Sequence, residues 1–342
     1  MRVLITGTDG YIGCLLAPVI MRRGHEVVGL DTRYFSDARL GADPDSTYPT
    51  IQKDLRHITP DDLEGFDAVI HLAGLSNDAL GQISRQVTYD INHYASTRVA
   101  ALAKQAGVTR FVYASSCSVY GRSDEEIVSE ESRLDPQTHY AICKMLDERE
   151  IGALADDRFS PVFLRNATAY GASPRMRFDL VVNNLAGLAW TTRRIAMVSD
   201  GTPWRPIVHV LDISKAFACA LEAPREAVHN QIFNVGRTDE NFQIREIADC
   251  LAKVFPGCDV SFGKTDADQR SYRVNFDKMS REVPGFCCDW SLDRGAAQLR
   301  ELYERVQLTD EMFGFRAFTR LEQLKHLVKA GQIDAQFFWT RS

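Results

Sequence analysis

Tyr140 and Lys144 stand four residues apart in the run Tyr140-Ala141-Ile142-Cys143-Lys144. On a helix that spacing stacks a phenol and an ammonium on one face. An ammonium favours the ionised form of a neighbouring phenol, so Lys144 would lower the pKa of Tyr140 and let it carry a proton near neutral pH. Ser116 precedes Tyr140 by twenty-four residues, and its hydroxyl could share the hydrogen bonds of a reacting oxygen. Ser115 competes for that role, and a solvated serine at a strand end is the bland alternative. A tyrosine and lysine at this spacing recur by chance, so the elements that position them must decide.

A second set of residues, Thr6-Gly7-Thr8-Asp9-Gly10-Tyr11-Ile12-Gly13, lies where an apolar run, Arg2 to Ile5, meets a helical pattern from Tyr11 to Arg23. Gly7 and Gly10 permit a tight turn and a close backbone approach to a pyrophosphate. Gly13 removes a side chain where helix meets strand, and the helix start offers unpaired N–H groups to phosphate. The spacing is one residue wider than the G-x-G-x-x-G dinucleotide fingerprint. Asp31 ends the next apolar run eighteen residues later. A carboxylate there accepts from a ribose 2′-hydroxyl and repels a 2′-phosphate, which favours NAD over NADP. A turn-capping role is the alternative for Asp31, and Arg33 leaves some room for NADP. Asp54 and Leu55 would flank the adenine, and Leu72-Ala73-Gly74 closes a further strand at the same edge.

Around these residues the first two-thirds of the chain alternates short β-branched runs with helical stretches. Strands are expected at Glu26 to Leu30, Ala68 to His71, Arg110 to Tyr113 and Pro161 to Leu164. Helices are expected around Ser84 to Gln105 and Tyr140 to Leu154. That alternation predicts an α/β fold, a Rossmann-like doubly wound parallel sheet with a smaller C-terminal substrate domain. The expected division is 1–165 for the nucleotide domain, with segments of 205–236 returning to it, 166–300 for the substrate domain, and a helical extension over 301–342. A strand is expected at Ile207 to Val210. The extension carries apolar Leu321, Leu324, Leu327 and Val328.

Composition excludes several other classes. A net charge of -6 without a basic stripe gives no hint of a nucleic-acid partner. The eight cysteines show no disulfide framework, and Cys287-Cys288 is a vicinal pair, so thiols in a reducing, cytoplasmic setting are expected. The start is not a signal peptide, no apolar run reaches membrane-spanning length, and no metal site is expected.

Taken together, TGTDGYIG, Leu30-Asp31, HLAG, ASSCSVYG, YAICK, LRNATAYG and WRPIVHVLDIS resemble the extended short-chain dehydrogenase/reductase family, up to about residue 300. The likeness is to its NAD-dependent nucleotide-sugar epimerases and dehydratases, nearest the UDP-galactose 4-epimerases. It implies that Ser116, Tyr140 and Lys144 form the catalytic triad, with Asn92 in the helix that supports it. It also implies that Ser116, Ser118, Asn166, Asn183 or Asn184, Arg205 and Arg270 meet a nucleotide-diphosphate sugar, the arginines at the diphosphate. Thr168 stands where many such enzymes carry asparagine. A homodimer built on the two helices named above is implied as well.

Residues 117 and 118 separate the branches of that family. Its 4,6-dehydratases carry Asp-Glu there, an acid and a base for eliminating water, and its decarboxylases carry a Glu at the second place. This chain has Cys117 and Ser118, which argues against elimination. In an extended strand end Cys117 faces away from Ser116 and Ser118. The expected reaction is therefore epimerisation by transient oxidation to a 4-keto sugar. One-way sugar oxidation, ketoreduction or dehydration on the same triad are alternatives, as is a non-catalytic NAD-sensing protein.

Overall fold

The computed structural model describes residues 1–41, 47–76, 84–123, 125–263 and 271–340. Runs rich in Val, Ile and Leu that must be covered on both faces become the central strands. In chain order these are β1 (Arg2–Thr6), β2 (Glu26–Asp31), β3 (Thr50–Gln52), β4 (Ala68–His71), β5 (Arg110–Ser116) and β6 (Ser160–Asn166). There follow β7 (Thr168–Tyr170), β8 (Arg194–Ala196), β9 (Trp204–His209), β10 (Gln231–Val235), β11 (Asn241–Gln243) and β12 (Asp259–Ser261).

The main sheet has the order β10-β6-β5-β4-β1-β2-β3, with every neighbour parallel. Strand order reverses between β1 and β4, where such a sheet opens a crevice at its carboxyl ends. One face is covered by helices Gly13–Arg22 and Val210–Glu222 through Leu16, Ala17, Ile20, Ile213 and Phe217. The other is covered by Ala95–Gln105 and His139–Gly152 through Val99, Ala103 and Ile151. A separate core of Leu185, Ile247, Leu251, Leu299 and Tyr303 joins helices Val181–Thr192, Ile244–Val254 and Leu292–Val306.

The strand expected at Arg110 to Tyr113 runs on to Ser116, because β6 pairs with it residue by residue as far as Ser116 opposite Asn166. The strand expected from Ile207 starts at Trp204, drawn out by pairing with β11. Beyond residue 301 the helical pattern is broken: helix Leu292–Val306 crosses that point, and the last helix is Arg320–Lys329. Its Leu324 and Leu327 pack on Tyr34, Leu75, Val87 and Ile91, while Val328 stays exposed. Among the described residues no helix is long and apolar enough to cross a membrane.

Candidate active site

The loop after β1 turns at Gly7, whose φ of +80° suits glycine; a Cβ there would come within 2.9 Å of the Ala73 backbone nitrogen. A Cβ on Gly13 would stand 2.1 Å from the Gly7 carbonyl oxygen. Helix Gly13–Arg22 can therefore begin hard against its own loop only with glycine, and Ile12 and Gly13 at its start line the crevice. One continuous cleft runs from here to β5. Its wall includes Gly7, Gly10, Tyr11, Ile12, Gly13, Asp31, Asp54, Leu55, Leu72, Ala73 and Gly74.

Asp31 accepts the N–H groups of Asp9 at 2.9 Å and Arg33 at 2.7 Å. Burial raises its pKa to about 6, with Asp9 adding to the rise and the two N–H groups opposing it. Asp54 caps a short turn, accepting the Arg56 N–H at 2.8 Å, and is ion-paired to the Arg56 guanidinium at 2.6 Å. In the glycine loop Thr8 Oγ1 and Asp9 Oδ2 are buried without partners among the described residues. The glycine cradle, which a Cβ on Gly7 or Gly13 would fill, fits the phosphates of a dinucleotide, and the Asp31 carboxylate fits its ribose.

The Thr138 hydroxyl accepts the Ala141 N–H at 3.2 Å and so starts helix His139–Gly152. That helix stacks Tyr140 on Lys144, with Nζ 5.7 Å from the phenol ring centre. Opposite them Ser116 ends β5. Its Oγ accepts the Ser118 N–H at 3.1 Å, which leaves its own hydrogen for an oxygen in the cleft. Ser116, Tyr140 and Lys144 all line that cleft. The Ser115 hydroxyl instead donates to buried Glu148, so Ser116 is the serine with a hydroxyl to offer.

Lys144 Nζ donates to the Ala114 carbonyl at 2.6 Å and to the Tyr113 hydroxyl at 3.1 Å. Tyr113 donates onward to Asp147, which meets His93 Nδ1 at 2.7 Å and is wholly buried. Burial lowers the Lys144 pKa to about 8, and the Asp147 charge resists that fall. Lys144 is therefore cationic below about pH 8 and loses its charge above it. The expected kcat/KM profile falls as pH rises past about 8. In Asp147→Asn the fall moves to lower pH, because the carboxylate no longer favours the cation. Identical alkaline limbs in the two proteins would refute this link.

The substrate-side positions divide. Ser118, Asn166 and Arg205 line the cleft, and Ser118 Oγ and Asn166 Oδ1 are buried without partners among the described residues. Asn183 does not line it: it is wholly buried, accepting the Gly171 N–H at 2.9 Å and donating to Tyr11 Oη at 3.1 Å and the Arg177 carbonyl at 3.0 Å. Asn184 is also off the wall, with its amide donating to the Phe178 carbonyl at 2.9 Å. One or the other asparagine was expected at the diphosphate; the buried Asn183 amide instead shapes the loop. Asn92 braces the cleft from behind, exchanging bonds of 2.7 and 3.0 Å with the Leu75 backbone. Arg270 lies outside the described residues.

Cys117 is packed away, its thiol donating to the Arg165 carbonyl at 3.2 Å. It faces inward although residues 117–120 form a tight turn rather than extended chain. Sequence reading missed Arg177, Asp179, Tyr272 and Arg320, all on the cleft wall. Arg177 holds Asp179 through two bonds of 2.9 and 3.0 Å. Burial opposes the ionisation of Asp179, but the guanidinium outweighs it and holds the pKa below the usual range. The only sequence signal for this pair was the adjacency of charges in Arg177-Phe178-Asp179.

The model of the NAD dependent epimerase/dehydratase family matches residues 3–236. Among curated proteins the chain is 27% identical over 274 residues to a UDP-glucose 4-epimerase of Corynebacterium glutamicum, covering 74% of this chain and 80% of that protein. It is 26% identical over 257 residues to a UDP-N-acetyl-alpha-D-glucosaminuronate decarboxylase of Bacillus cytotoxicus, covering 72% and 78%. Among solved structures it is similar to MoeE5 in complex with UDP-glucose and NAD, with a TM-score of 0.78, 27% identity and coverage of 90% and 100%.

Proposed function

The chain belongs to the NAD dependent epimerase/dehydratase family, and from that premise we propose that it is an NAD-dependent 4-epimerase of a nucleotide-diphosphate sugar. The observation that carries this reading is the placement of carboxylates. Among the described residues the acids on the cleft wall are Asp31, Asp54 and Asp179. Asp31 ends β2 and Asp54 follows β3, so strands β1 and β4 stand between them and Ser116 on β5. Asp179 is held ionised in its two-bond pair with Arg177. No described acid therefore stands ready to protonate a leaving hydroxyl, which elimination of water requires.

NAD, when bound, supplies a reversible acceptor for hydride. Tyr140 takes the proton of the sugar C4 hydroxyl and later returns it to the 4-keto sugar presented on its other face. Lys144, fixed by Ala114 and Tyr113, favours the phenolate and would hold the nicotinamide ribose. Ser116 donates to the oxygen on which negative charge grows, and Ser118, Asn166 and Arg205 offer polar groups to the sugar and its diphosphate.

Incubation with the nucleotide sugar in heavy water tests this directly. The expected product has unchanged mass, is inverted at one carbon, carries no deuterium at C5 and leaves added NAD unconsumed. A product lighter by one water, or labelled at C5, would overturn the reading in favour of dehydration. Net consumption of NAD would favour one-way oxidation.

A further inference from the structure

Arg320 opens the last helix and reaches the cleft wall from far along the chain. It is 2% exposed. Its Nη2 donates to the Arg175 carbonyl at 3.5 Å, its Cζ lies 4.1 Å over the Phe35 ring, and Nη1 has no hydrogen-bond partner among the described residues. A buried guanidinium with a donor left unsatisfied is costly to hold. Burial, followed by the neighbouring Arg177, lowers its pKa to about 9, against the pull of Asp179 and Asp31.

The segment that carries Arg320 is fastened to the cofactor side of the sheet. Gln323 donates to the Tyr34 carbonyl at 3.0 Å, and Trp339 donates to the Thr32 carbonyl at 2.7 Å. Tyr34 donates to the Phe337 carbonyl, and Arg56 donates to the Gln336 carbonyl at 2.6 Å. The loop after β2 and the turn after β3 are thus clasped by residues 280 or more positions away.

We propose that Arg320 is a phosphate-binding residue of the cofactor site, held over the dinucleotide by this C-terminal clasp. The inference rests on the assignment of NAD to the cleft. Asp31 marks the ribose end of that cleft and the glycine loop its diphosphate end, and the diphosphate is the anion able to compensate a buried guanidinium.

The test uses the full chain, with calorimetry for NAD and ADP and NMR line broadening for adenosine. Arg320→Met is expected to weaken NAD and ADP by roughly 10- to 100-fold and to leave adenosine within about twofold. Unchanged NAD affinity would overturn the proposal, as would an equal loss for adenosine, which would make Arg320 a packing residue. Should Arg320→Met unfold, Arg320→Lys carries the test. Loss of the planar fork is expected to weaken NAD and ADP several-fold with adenosine unchanged, and unchanged NAD affinity overturns the proposal there too. Wild-type protein that binds neither NAD nor ADP would instead remove the cofactor assignment.

Discussion

Tyr140→Phe is expected to lower turnover by roughly 10²–10⁴-fold, with NAD affinity little changed. The substitution removes one oxygen and keeps the ring, so the helix packing that places Lys144 is preserved. What is lost is the proton carrier beside Ser116. Three other polar groups of the site are already committed. Lys144 is tied to Ala114 and Tyr113, Tyr113 to Asp147, and Ser115 to Glu148. Steady-state rates with the nucleotide sugar, beside a calorimetric titration of NAD, separate the two effects. A near-normal rate would mean that another group moves the proton. A lost rate with lost NAD binding would mean that the ring, and not its hydroxyl, was needed.

Arg165→Met is expected to cost about 3–5 kcal/mol of stability, because it strands a buried carboxylate. Arg165 holds Glu148 through bonds of 2.9 and 2.7 Å, and the two side chains are 3% and 5% exposed. The same guanidinium donates to Tyr120 Oη at 3.0 Å, and Tyr120 donates to Asn234 Oδ1 at 2.7 Å. One cluster therefore ties helix His139–Gly152 to β5, β6 and β10, and with them the face that bears Tyr140. Removing both members, as Arg165→Met with Glu148→Leu, is expected to recover much of the loss, since two apolar groups need no compensation. Urea unfolding of the single and double variants measures this. A single-variant loss below about 1 kcal/mol, or a double variant no better than the single, would sink the argument.

Which residues were legible in sequence follows from the range of the forces that place them. Gly7, Gly13 and the Tyr140–Lys144 pair obey local rules, since a turn, a helix start and an i, i+4 face are set within a few residues. The alternation of strand and helix was legible for the same reason, and the parallel sheet followed from it. Ser116 was narrowed only to one of two serines. Distinguishing it from Ser115 required Glu148, thirty-three positions away, to claim the other hydroxyl.

The polar support of the site was not legible. Helix His139–Gly152 buries Lys144, Asp147 and Glu148, and charged residues on a helical pattern read as a solvated face. Their burial depends on Tyr113, His93 and Arg165, which other strands and helices bring in. Asn183 shows the converse. Its type suits a phosphate, but Tyr11 and Gly171 fold onto it from 172 and 12 residues away and consume its amide. Arg320 sits in a charged tail that resembles a surface helix, and only closure of residues 320–339 over the loop after β2 buries it at the cleft. The sequence by itself thus determined the elements, the glycine cradle and the reacting phenol. Tertiary structure decided which charges are buried and which polar groups remain free, because both depend on partners distant in sequence.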